Sequence, residues 1–187
     1  MLILDTNSKY FVIRSEMNIN KTLLLGLGII GVLTLSRLIP HPPNFTPILG
    51  MAVFSGAIIN RRLIAYLIPL VAMLISDLYL GFHSGMPIIY FSLALCVLIG
   101  TFIEARITIL NFVLGISAGV IVFYLITNFS VWYGSGMYDY SFSGLITCYV
   151  MALPFLQNTI ISSMIYGIGA LLIYNVINRR LILANKA

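Results

Sequence analysis

Residues 23–62 read LLLGLGIIGVLTLSRLIPHPPNFTPILGMAVFSGAIINRR, and this stretch decides the fold class. It holds two apolar runs, which with their flanks reach from Thr22 to Ile39 and from Pro47 to Ile59, separated by a proline cluster. The first is long enough to cross a hydrocarbon core of about 30 Å as a helix. The second would measure only about 20 Å, so it must tilt, borrow length from its flanks or begin below the membrane surface. Pro40, Pro42 and Pro43 cannot continue a helix between them. Thr46 and Pro47 are the expected N-cap and first-turn proline of the second helix.

The pattern continues outward. Leu63–Leu80, Pro87–Ile103 and Ile109–Ile126 are further apolar runs, the last containing the small-residue spacing Gly115-x-x-x-Gly119 that lets membrane helices approach closely. Ser141–Asn178 is almost unbroken and would be about 57 Å long as one helix, too much for a single crossing. With 60% hydrophobic and 8% charged residues in 187, the chain has too little polar surface for a water-soluble domain. Its mean hydropathy is +1.06.

Charge placement sets the expected topology. Lys9, Arg14 and Lys21 precede the first run, Arg61 and Arg62 follow the second, Arg106 follows the fourth, and Arg179, Arg180 and Lys186 end the chain. The first, third and fifth connections carry no Lys or Arg. Basic loops stay in the cytoplasm, so both termini are expected there, in a multi-pass protein of the inner membrane. An even number of crossings then splits 141–178 into a short re-entrant or interfacial helix near 141–153 and one span from about Pro154. The expected fold is an all-α integral membrane protein of six transmembrane helices plus that short helix. Its parts are a polar segment over 1–21, one transmembrane domain over 22–178 and a basic tail over 179–187. The net charge of +5 is spread over loops and ends, which argues for topology and against nucleic acid. Cys96 and Cys148 lie in apolar runs and read as buried free thiols.

This topology gathers the unusual side chains at the end facing away from the cytoplasm. Arg37 and Asp77 are ionisable groups near membrane depth, which need a partner or a cavity. Around them fall His41, Asn44, His83, Asn128, Trp132 and Tyr133. A cation, an anion, amides and aromatics on one face, with the helix start at Pro47 adding partial positive charge, suggest a pocket for a small solute. Plainer roles stand beside that one: a structural ion pair for Arg37 and Asp77, an aromatic belt for Trp132 and Tyr133, and interhelical hydrogen bonding for Asn128. His41 and His83 could ligate a metal, but two histidines without an acidic cluster are a weak signal, and ordinary hydrogen-bonding roles are the expectation. No nucleophile–base set, glycine-rich phosphate loop or cofactor pattern occurs, so the expectation is a protein that is not an enzyme and carries no cofactor.

Ser36-Arg37-Leu38-Ile39-Pro40-His41-Pro42-Pro43-Asn44-Phe45-Thr46-Pro47, Ser76-Asp77-Leu78-Tyr79-Leu80-Gly81-Phe82-His83 and Thr127-Asn128-Phe129-Ser130-Val131-Trp132 resemble the hallmarks of an uncharacterised family of small bacterial membrane proteins. In size and span count the chain is also similar to the S components of energy-coupling-factor transporters. That resemblance implies a substrate-binding component for uptake of a vitamin-like or anionic solute, energised by a separate transmembrane and ATPase module. The first helix departs from it, carrying Gly26, Gly28 and Gly31 in place of the S components' alanine pattern. The alternative is a non-catalytic accessory or assembly subunit of a larger membrane complex.

Overall fold

The computed structural model describes residues 19–104 and 107–184, with side chains up to Asn178. Lys9, Arg14, Arg106, Lys186 and nearly all of the 1–21 segment lie outside the described residues. Among the described residues seven helices follow one another: α1 (Ile19–Leu38), α2 (Ile48–Ile58), α3 (Arg62–Leu80), α4 (Met86–Ile103), α5 (Ile109–Gly134), α6 (Phe142–Met151) and α7 (Leu153–Ala184). Five of them, all but α2 and α6, are long and apolar enough to cross a membrane. Their outer faces carry large side chains such as Leu24, Phe102 and Leu110, each more than two-thirds exposed. A continuous apolar girdle of this kind needs lipid to cover it, and the protein is an all-α, multi-pass membrane protein.

Cross-helix contacts give the helix directions. Gly26 faces Ile68, Thr34 bonds the Ala72 carbonyl and Arg37 meets Asp77, so α1 and α3 run parallel. Leu49 shares a cavity with Arg37 while Ser55 meets Ala65 near the start of α3, so α2 runs the other way. Gly50 lies against Ser163 and Phe54 against Tyr174, and Leu49 faces the cavity with Leu93 while Gly56 meets Val97 and Gly100, so α7 and α4 run with α2. Gly119 of α5 packs on Cys96 and Gly115 on Ile103, which turns α5 back again. The chain therefore passes between the ends of the bundle six times, with α2 as its shortest pass.

That short pass is the centre of the structure. All 11 residues of α2 are buried, and at about 16 Å it covers roughly half the hydrocarbon thickness. Of the ways a short segment can be accommodated, this chain starts the helix inside the bundle. The helix begins at Ile48 with Pro47 in the cap position and no side-chain cap, so Thr46 does not serve as one. Pro69 inside α3 has no N–H for the Ala65 carbonyl, and Ser55 Oγ of α2 lies 3.0 Å from that oxygen, sharing its one hydrogen between it and the Ala52 carbonyl at 2.9 Å. A hydroxyl from one helix thus satisfies the acceptor that a proline leaves free in the next, as a water-free interior requires.

Two further expectations are refined. α5 runs on to Gly134, 26 residues in all, about 39 Å, so Asn128, Trp132 and Tyr133 are helical. α6 occupies the expected short-helix position, capped by Ser141, whose hydroxyl accepts from the Gly144 N–H at 3.0 Å. It packs on the C-terminal half of α5, where Cys148 Sγ donates to the Asn128 carbonyl and Tyr149 to that of Leu125. α7 is helical through Arg179 and Arg180 to Ala184. Both cysteines are free and buried.

Candidate functional site

Because α2 starts low, the chain between Leu38 and Ile48 must descend into the bundle as a loop. Its centre is a turn in which the Phe45 N–H donates to the Pro42 carbonyl at 2.9 Å. Asn44 sits at φ 60°, so with Pro43 before it the segment has the residue pattern of a type II turn. α7 holds this turn from the side. Asn158 Nδ2 donates to the Pro43 carbonyl at 2.9 Å, and Phe45 packs edge-on to Tyr166. Ser162 Oγ lies 3.5 Å from the Asn44 carbonyl, with its hydrogen shared with the nearer Thr159 carbonyl at 3.2 Å. The His41 Nδ1 lies 2.8 Å from the Pro42 carbonyl. That oxygen can only accept, so Nδ1 carries the hydrogen and a neutral ring keeps Nε2 as an acceptor.

Beside the loop lies the charged group that the sequence singles out. Arg37 Nη1 reaches Asp77 Oδ1 at 2.5 Å, Ser76 Oγ at 2.5 Å and the Met73 carbonyl at 3.3 Å. Asp77 is only 1% exposed, against 17% for the Arg37 side chain. The second carboxylate oxygen accepts from the Tyr90 hydroxyl at 2.8 Å. One buried anion therefore clasps α1, α3 and α4, and its lone pairs are met by both a cation and a phenol. Tyr90 is missing from the sequence-based site. The available signal was that a buried carboxylate needs more than one donor.

A cleft of about 330 Å³ opens between this clasp, the loop and the top of α2. Arg37, His41, Asn44 and Thr46 supply its polar rim, and Ile48, Leu49, Leu93 and Phe123 are among its apolar walls. A second chamber of about 210 Å³ adjoins it, sharing Asn44, Ile89, Phe123 and Thr159, and adds Thr127 and Asn128. Of the sequence-predicted residues, Arg37, His41 and Asn44 line the first chamber, and Asn44 and Asn128 the second. Asp77 stands behind Arg37 and lines neither. His83 is exposed in the α3–α4 loop. Trp132 donates to the Asp139 carbonyl at 3.0 Å and packs with Phe129 and Tyr140, and Tyr133 joins that aromatic cluster. These three line neither chamber. Among the described residues, no group of three His, Cys, Asp or Glu comes together.

Chemically, the arrangement offers hydrogen bonds and an apolar surface within the membrane depth. Comparison with curated proteins and with solved structures returns no match. The loop, the clasp and the chambers all fall within residues 17–184, which match the model described as a family of unknown function (DUF6580), and the chain belongs to that family.

Proposed function

We propose that this is a non-catalytic, solute-binding component of the inner membrane that takes up a small nutrient, in the manner of an S component. The observation that carries the reading is the cleft lined by Arg37, His41 and Asn44 above the start of α2. Its size and its few polar groups over apolar walls match those of small-molecule sites. Lys21, Arg61 and Arg62 occur at the opposite end of the bundle, and positive charge on that side supports a cytoplasmic orientation for it and for both termini. The cleft then opens away from the cytoplasm, where an uptake protein meets its solute. The sequence has no nucleotide-binding loop, so a partner transmembrane and ATPase module would supply the energy.

The test is to purify the protein without added ligand, extract it and identify bound small molecules by mass spectrometry. A molecule held in near-stoichiometric amount by the native chain, and lost from a Leu49→Trp variant that fills the cleft, is the expected result. Identical extracts from the two proteins would overturn the reading. An accessory-subunit role draws on a different observation. Gly28 and Gly31 of α1 face open space between exposed leucines. A partner helix that crosslinks to position 28 and co-purifies stoichiometrically would favour that second role.

A further inference from the structure

The hydrogen-bond inventory of the two chambers defines the class of solute they fit. In the first, Arg37 commits only Nη1 to the protein, which leaves the N–H groups of Nε and Nη2 without a partner among the described residues. They are donors and nothing else, set beside His41 Nε2, an acceptor in the neutral ring, and the Asn44 and Thr46 side chains, which can do both. The positive charge behind them is already matched by Asp77.

The groups that the second chamber adds, with the shared Thr159, are mostly acceptors. The Thr127 hydroxyl donates to the Phe123 carbonyl at 2.8 Å, and that of Thr159 to the Phe155 carbonyl at 2.7 Å. Asn128 Nδ2 spends one hydrogen on the Tyr124 carbonyl at 2.8 Å. On these three residues what remains is mostly oxygen lone pairs against one amide N–H, while the Asn44 amide, shared with the first chamber, can both donate and accept. Between the two ends stand Ile89 and Phe123, which belong to both chambers. No acidic side chain lines either chamber among the described residues.

From this polarity we infer that the solute is a small molecule without net charge, with a hydrogen-bond acceptor head at Arg37, a donor tail at Asn128 and an apolar middle. An ω-amino acid is the simplest member of the class. A simple anion would meet a cation whose charge is already balanced. A simple cation would find oxygen dipoles and no carboxylate. A molecule bearing both ends uses both sets of groups. The inference rests on the solute-binding reading and narrows it.

Two matched series of compounds test it by equilibrium binding to the full chain in lipid nanodiscs. One is ε-aminocaproate, caproate and hexylamine; the other is para-aminomethylbenzoate, para-toluate and para-methylbenzylamine, with phenyl phosphate as an anionic control. The two-ended compound of at least one series should bind at least about tenfold more tightly than both of its one-ended analogues, the gain of one charge-assisted hydrogen bond. Asn128→Leu and Thr127→Val should each erase most of that preference, and either variant that folds is sufficient. Equal or tighter binding of the acids, amines or phosphate would overturn the polarity argument while leaving a solute site in place. No binding by any of the compounds would also overturn it, and the extraction experiment then decides separately whether a solute is bound at all. Retained preference in both variants would remove Asn128 and Thr127 from the donor-binding end.

Discussion

At one end of the bundle α2 and α4 touch backbone to backbone, and at the other they part around a cleft. Near Gly56 and Gly100 no side chain separates them. A β-carbon on Gly56 would overlap the Val97 carbonyl oxygen, and one on Gly100 that of Val53. Toward the other end, Ile48 and Leu49 of α2 and Ile89 and Leu93 of α4 face the same cavity. The difference follows from length. A helix of 11 residues cannot fill a bundle built from helices of 18 and more, and packing it tightly at one end leaves room at the other. Shape here comes from where an apolar helix starts, with hydrophobicity nearly uniform along it.

The closed end is the place to break this comparison hardest. Gly56→Leu and Gly100→Leu should each force the helices apart, costing more than about 3 kcal/mol and abolishing the monodisperse peak in detergent gel filtration. Gly28→Leu, where nothing lies within 4 Å, should leave that peak intact. Equal behaviour of the three variants would remove the close crossing from the account.

At the open end the clasp takes over the work of holding helices together. Arg37→Ala or Asp77→Ala alone strands a buried charge or its partner and should cost about 3–5 kcal/mol in thermal or denaturant unfolding. The double variant should lose less than the sum of the two, since no unpaired charge remains. Strict additivity would mean that the ion pair does not couple α1 to α3.

A smaller effect sharpens the closed end further. Ser55→Ala leaves the Ala65 carbonyl without a donor opposite Pro69 and should cost about 1–2 kcal/mol. Pro69→Ala, which restores a helical N–H, should cost less in the Ser55→Ala background than in the native one. If the two substitutions act independently, the hydroxyl is not compensating for the proline.

Much of this architecture was readable in sequence where the physical signal is local. The long apolar runs, the proline break, the short second segment and the short helix before α7 all follow from length and hydropathy. Arg37 and Asp77 stand out because ionisable groups are rare at membrane depth. The end of α5 was misplaced, since the polar and aromatic residues from Asn128 onward mark the membrane interface and not the end of the helix. The close contact was harder still. Gly115 and Gly119 have the familiar spacing, yet they receive the side chains of Ile103, Val53 and Cys96, while backbone contacts join Gly56 to Gly100 and Gly50 to Ser163 and Gly167 from separate helices. The apolar walls of the cleft, Ile89 and Phe123 among them, look like any other lipid-compatible residues until the helices are assembled.

The central claim is that the short start of α2 leaves a cavity open away from the cytoplasm. Cysteine accessibility in a Cys96→Ala, Cys148→Ala background tests it most directly. A membrane-impermeant maleimide applied to intact cells should modify Leu49→Cys at the floor of the cleft, and should leave Ala57→Cys, fully buried about 12 Å further along α2, unmodified from either side of the membrane. Failure to label position 49 from outside, or labelling only in inverted vesicles, would contradict the account.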